Sequence, residues 1–298
     1  MDTPIPPAGS EPPQALPAPE PPLPEPDASE AAAPDPRPAL RLSRPLRNRL
    51  GFGLVVLATV LMAEMSWLRW AHPIIDFGRE MYVAWQVHEG SRLYASLAHF
   101  YSPLSPLVNS AWLSLFGVSI HGLILGNAII LVATLAALFL LLRRIAGDVS
   151  SWAAVLTVVL VLAFGKYQAV GDFGYLTPYA HELTHGLLLS LLALLALGAY
   201  FRQPAPGRLA VVGLLLGLVF LTKYEVFAAA FGAVLLGLGA FWWRRGSPGP
   251  PREIGAAAGA LLLPPAGCLL WLLTYLPASE ALLGMLGPYP YLWDPALA

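Results

Sequence analysis

Long apolar runs decide what this chain can fold into. Seven stretches, at about 50–69, 120–142, 150–165, 183–201, 208–223, 226–243 and 254–276, are nearly free of charge. A helix needs about 20 apolar residues to cross the hydrocarbon core of a bilayer. Backbone polar groups in lipid must be satisfied within the segment, so runs of this length predict helices rather than open strands. Charged residues make up 12% of the chain and hydrophobic ones 57%. A soluble domain is about one quarter charged, so much of this surface needs a non-aqueous solvent. The sequence predicts an all-α, polytopic transmembrane bundle of about seven spans over residues 46–298.

Residues 1–45 form a separate regime of proline, alanine and acidic side chains with few aliphatic ones. Such a segment cannot bury enough surface to offset chain entropy, and it reads as a disordered, proline-rich tail. It lacks the basic start and short apolar core of a cleaved signal peptide, so the first apolar helix is expected to remain as an anchor. No basic block points to nucleic acid. The single cysteine, Cys268, lies in an apolar run, cannot form an internal disulfide and reads as a small buried hydrophobe.

Arginine placement orients the spans, because cytoplasmic loops retain Lys and Arg. Arg41, Arg44, Arg47 and Arg49 precede the first span, Arg143 and Arg144 follow the second, Arg202 and Arg208 follow the fourth, and Arg244, Arg245 and Arg252 follow the sixth. All are cytoplasmic if the second span starts near His121 and the piece from Ser102 to Gly117 does not cross. That piece is short and begins with Pro103 and Pro106, so it reads as an interfacial or re-entrant helix. External loops then cover about 70–118 and 165–182, and both are acidic and aromatic. Ionisable groups near bilayer depth are costly and default to a functional-site reading.

In the first loop, Asp76 enters an amphipathic helix on which Phe77, Met81, Trp85 and His88 share one face at helical spacing. One reading is a capped, solvated interfacial helix with Asp76 and Arg79 paired; the other is a preorganised functional loop. In the second loop, His181-Glu182-Leu-Thr-His185 matches the zinc-peptidase string letter for letter. It opens an apolar helix with no third ligand following, so a peptidase, satisfied interfacial histidines and substrate contacts all stay open, and no metal ligand is assigned. Between two apolar runs, Thr222-Lys223-Tyr224-Glu225 is either a tight turn with a surface ion pair or a lysine turned into a cavity to meet a phosphate.

The ordered set Asp76-Phe-Gly-Arg79-Glu80 with Tyr82, Gly90-Ser-Arg92-Leu-Tyr94, Tyr101-Ser-Pro103-Leu-Ser-Pro106, Leu115-Phe-Gly117-Val-Ser119 and Thr222-Lys223-Tyr-Glu225 resembles the polytopic GT-C type glycosyltransferases. It resembles most glycosyltransferase family 39, the protein O-mannosyltransferases and aminoarabinose transferases. The resemblance implies an enzyme of the bacterial inner membrane, with a cytoplasmic N-terminus and a periplasmic active site. It implies inverting transfer of a sugar from a polyprenyl phosphate to a hydroxyl of a glycan, lipid or protein acceptor. Asp76 matches the position of the catalytic base. Arg79, Glu80, Arg92, Lys223 and Glu225 become candidates for substrate and phosphate binding, and Tyr82, Asp172, Tyr179, His181, Glu182 and His185 for acceptor binding or positioning. No cofactor is required by this reading, although a divalent metal is compatible with it. Relatives are longer, which implies a minimal module or one that works with a partner chain. The readings set against the enzyme are a non-catalytic subunit that binds lipid-linked saccharide and, further off, a transporter or flippase.

Overall fold

The computed structural model describes residues 43–66, 69, 76–164, 174–246 and 248–287. The expected proline-rich tail, Asp172 and the side chain of Asp76 lie outside the described residues. From Ser43 onward the chain forms one compact unit. Its helices are α1 (Arg44–Ser66), α2 (Asp76–His88), α3 (Leu104–Phe116), α4 (Ile120–Ile145), α5 (Gly147–Thr157), α6 (His181–Arg202), α7 (Pro206–Phe220), α8 (Tyr224–Arg244), α9 (Pro251–Leu272) and α10 (Ala278–Leu286). A π-helical turn, Val158–Ala163, continues α5. No strand occurs among the described residues, only two isolated bridges.

Local chemistry sets the helix ends. Ser119 caps α4 by accepting from the Gly122 N–H at 3.0 Å. Arg143 and Arg144 occupy its last turn, where a positive charge suits the C-terminal dipole. Pro206 and Pro251 open α7 and α9, positions at which the missing N–H has no intrahelical partner to lose. Gly147, at φ 81°, makes the sharp reversal between α4 and α5.

Five helices, α1, α4, α6, α8 and α9, are long and apolar enough to cross a membrane. Two of the seven expected spans are shorter: α5 with its π turn has 17 residues, and α7 has 15. At 1.5 Å per residue α7 reaches about 22 Å against a hydrocarbon core of about 30 Å. With 13 residues α3 is shorter still. Large apolar side chains face outward along the long helices, including Leu54 on α1, Leu236 on α8 and Leu263 on α9. Water would penalise such a belt, whereas lipid accepts it.

The closest helix pairing is α7 on α9. A Cβ at Gly213 would sit 2.1 Å from the Ala257 carbonyl oxygen, and one at Gly217 would sit 2.3 Å from that of Leu261. Two glycines four residues apart let the backbones touch, which is how helices associate in lipid without a hydrophobic driving force.

The bundle has two chemically different ends. At one, Arg44 Nε and Arg47 Nη2 of α1 and Arg143 Nε of α4 meet Asp148 of α5 at 2.8, 3.5 and 2.7 Å. Arg144 Nη1 donates to the Leu195 carbonyl of α6 at 3.3 Å. Tyr200 of α6 donates to Glu253 of α9 and accepts from Trp242 Nε1 of α8 at 3.3 Å. The arginine-bearing helix ends therefore gather together. At the other end α2 and α3 lie against the starts of α4 and α6, and the Leu104 N–H donates to the Leu221 carbonyl at 3.1 Å.

Candidate functional site

Helix α2 carries the first half of the site, but on a different face from the one its spacing suggested. Phe77, Glu80, Val83 and Ala84 are the buried residues, while Trp85 is 41% exposed. The small Val83 and Ala84 allow close approach to the bundle. Tyr82 and Trp85 point outward as an edge-to-face pair 6.3 Å apart, an arrangement suited to the headgroup level. Arg79 Nη2 lies 3.0 Å from Glu80 Oε1, and the expected pairing of Arg79 with the Asp76 side chain lies outside the described residues. The backbone of Asp76 starts α2.

Glu80 anchors α2 to the start of α6. His181 Nδ1 lies 3.3 Å from Glu80 Oε2, and its Nε2 lies 3.0 Å from Asn127 Nδ2 of α4. The same Asn127 nitrogen donates to the Leu176 carbonyl at 2.9 Å. A carbonyl can only accept, so the amide orientation is fixed. His181 Nε2 must then be the acceptor and Nδ1–H the donor to Glu80. Burial opposes ionisation of Glu80, but the hydrogen bond from His181, together with the nearby Arg79 cation, outweighs it and holds the carboxyl below its ordinary value.

Behind this pair lie further buried polar groups. His99 Nε2 is 3.6 Å from Glu182 Oε1, with both side chains essentially inaccessible. Neither Glu182 oxygen nor His99 Nε2 has a hydrogen-bond partner among the described residues, nor does either polar atom of Asn109. Burial lowers the His99 pKa to about 4, so its ring is neutral at physiological pH. His185 Nδ1 is 3.0 Å from Ser105 Oγ of α3, while its Nε2 is buried without a hydrogen-bond partner among the described residues. The His181 and His185 rings are 5.9 Å apart. In the peptidase-like string, then, His181 has both nitrogens engaged by Glu80 and Asn127. Among the described residues no group of three His, Cys, Asp or Glu side chains is arranged to hold a metal ion.

The α7–α8 turn closes the site. Lys223 is turned inward, with a side chain only 12% exposed, while Glu225, 3.9 Å away, is half-exposed. Its Nζ lies 5.6 Å from the Tyr179 ring centroid and 3.5 Å from Tyr179 Oη. It also lies 5.5 Å from the centroid of Tyr101, and the Arg79 guanidinium lies 5.7 Å from that same centroid. Burial works against the Lys223 ammonium, but Glu225 and the hydroxyls of Tyr179 and Tyr101 outweigh it, keeping the pKa above the ordinary lysine value. Two cations thus share one aromatic ring beside a buried acid–imidazole network.

Of the expected residues, Arg79, Glu80, Tyr179, His181, Glu182, His185, Lys223 and Glu225 gather here. Tyr82 instead lines a cleft of about 460 Å³ with Gly78, Trp85 and Ser119. The Arg92 guanidinium lies 5.5 Å from the Tyr275 ring centroid, in another cleft. Asn127, Ser105 and His99 belong to the site although none of them is among the candidate site residues read from the sequence. For Asn127 there was a signal: a lone amide inside a long apolar run. Comparison with family models, with curated proteins and with solved structures finds no match.

Proposed function

We propose that this chain is a membrane glycosyltransferase that moves a sugar from a polyprenyl phosphate to an acceptor hydroxyl. The observation that carries this reading is the pair of cations, Arg79 and Lys223, held 5.7 and 5.5 Å from the Tyr101 ring centroid at the end of the bundle opposite the arginine-bearing helix ends. A departing phosphodiester develops charge that such a pair stabilises, and a partly desolvated setting strengthens the effect. In the reaction the acceptor oxygen bonds to the anomeric carbon with inversion. The bond from that carbon to the phosphate oxygen breaks, its electron pair stays on the phosphate, and the acceptor proton passes to Asp76. Glu80, His181 and Asn127 hold α2 against α4 and α6, which positions Arg79. Glu182 and His99 keep hydrogen-bonding capacity for a polar reactant.

The arginine-bearing end is assigned to the cytoplasm by the positive-inside tendency, with α5 and α7 completing seven crossings despite their shortness, by local thinning of the bilayer. The site then faces the periplasm of a bacterial inner membrane.

The test uses the purified chain in nanodiscs with a radiolabelled hexose on a polyprenyl phosphate. The wild type should bind this donor and, supplied with an alcohol acceptor such as an octyl glycoside, transfer the label to it and release free polyprenyl phosphate. Asp76→Asn should bind normally and lose release by about a hundredfold or more, whereas Lys223→Ala should weaken donor binding. Binding without release in the wild type would replace the enzyme with a lipid-linked saccharide-binding subunit. Absence of binding would remove both.

A further inference from the structure

A second site lies apart from the one above, where the loop after α2 meets α3 and the end of α9. It is a cleft of about 490 Å³ lined by Ser91, Arg92, Ser110, Trp271, Thr274 and Tyr275 with aliphatic neighbours. None of Arg79, Tyr101 and Lys223 lines it.

The hydrogen-bonding groups of this cleft divide into two hydroxyls whose protons are committed and a set of donors that remain available. The Ser91 hydroxyl donates to Gln86 Oε1 at 3.0 Å, and that of Thr274 donates to the Trp271 carbonyl at 2.6 Å, so both can only accept further. Among the described residues the Arg92 guanidinium takes part in no ion pair or hydrogen bond; its one neighbour of note is the Tyr275 ring, 5.5 Å away. Tyr275 Oη is buried and has no hydrogen-bond partner among the described residues. Among the described residues no carboxylate lines the cleft. What remains available is a fixed cation and hydroxyl donors, which suits a ligand rich in acceptor oxygens and negatively charged.

The backbone is shaped to present Arg92. Gly90 has φ 92°, and Tyr94, two residues after Arg92, has φ 66°, the one non-glycine in the left-handed region among the described residues. Steric contact of the Cβ with the backbone disfavours that conformation for an ordinary side chain. It is held by the Tyr94 N–H donating to the Leu97 carbonyl at 2.8 Å and by Tyr94 Oη donating to the Tyr101 carbonyl at 2.7 Å. Its ring packs so tightly on α10 that a Cβ at Gly284 would lie 2.5 Å from it. A tight loop held in a strained conformation fits a recognition role. Leu270 of α9 and Leu273 at its C-cap, near Trp271 and Thr274 in sequence, are exposed, an apolar surface suited to acyl chains.

From these observations we propose that the Arg92–Ser110–Tyr275 cleft binds the phosphate of a lipid headgroup or of a soluble phosphate ester, as a site separate from the sugar-donor site. Arg92 takes the phosphate oxygens, the Tyr275 and Ser110 hydroxyls complete the donor set, and Trp271 flanks the headgroup.

The test titrates the purified full-length chain in detergent with dioctanoyl phosphatidylglycerol, dioctanoyl phosphatidylcholine and glycerol 1-phosphate by calorimetry. The wild type should prefer the anionic lipid over the zwitterionic one by about tenfold. Arg92→Gln should erase that preference, Arg92→Lys should keep most of it, and Tyr275→Phe, which retains the packing, should weaken anionic-lipid binding by about threefold. Competition by glycerol 1-phosphate identifies the soluble ester as sufficient; lack of competition identifies the lipid. Lys223→Ala should leave the preference intact, which separates this site from the donor site whether or not sugar transfer is observed. Equal affinity for the two lipids, survival of the preference in Arg92→Gln, or its loss in Lys223→Ala would overturn the proposal.

Discussion

His99 sits within 3.6 Å of Glu182 in surroundings that exclude water, and that placement makes the site sensitive to acid. Its pKa falls from 6.5 to about 4 on burial. The unfolded chain therefore binds a proton between those values while the native one does not, and stability rises with pH across that window. Stability from the neutral ring is complete above pH 6.5 and is lost as the pH falls towards 4. Glu80, held ionised, adds a loss in the same direction at still lower pH. The thermal midpoint should drop between pH 6.5 and 4, by the equivalent of about 3 kcal/mol for His99, and His99→Gln should flatten that part of the profile in a melting series. Asn127 offers a second residue-scale check. Asn127→Leu leaves the Leu176 carbonyl and His181 Nε2 without their donor and should cost about 2 kcal/mol of stability in denaturant titrations. Much of the chemistry at this scale was legible beforehand, because Glu80, His181, Glu182, His185 and Lys223 are ionisable groups beside apolar runs. The tautomer of His181 was not, since it depends on Asn127, 54 residues away in the chain.

Among the helices, α7 and α9 make the tightest contact, through Gly213 and Gly217. Gly217→Val places side-chain atoms where the Leu261 carbonyl lies and should destabilise by about 2 kcal/mol, read as a lower thermal midpoint. Gly232→Ala on α8, where an added Cβ meets nothing within 4 Å, should leave the midpoint unchanged. Helix positions followed from hydropathy because length and apolarity are properties of each segment alone. The buried face of α2 did not. Phe77 is buried and Met81 packs beside it, as their spacing suggests, but Glu80 is drawn inward by His181 and the helix turns to bury Val83 and Ala84 in place of Trp85. A charged residue on a buried face can be assigned only once its partner on another helix is known. The shortness of α7 was equally hidden, since its apolar run continues through Leu221, where the backbone leaves the helix to place Lys223.

For the molecule as a whole, the account rests on polarity between the two ends of the bundle. Arg44, Arg47, Arg143 and Arg144 are tied together by contacts with Asp148 and α6 at one end, while Lys223, Arg79 and the buried acids lie at the other. Placing the second group outside the cell makes the site accessible to a lipid-linked donor in the outer leaflet. The most direct check is cysteine accessibility in intact cells, on a Cys268→Ala background that removes the one native thiol. Ala95→Cys marks the loop after α2, and Gln203→Cys marks the exposed α6–α7 connection. A membrane-impermeant maleimide should label Ala95→Cys in intact cells and Gln203→Cys only after permeabilisation. Labelling of both from the outside, or of Ala95→Cys only after permeabilisation, would contradict the account.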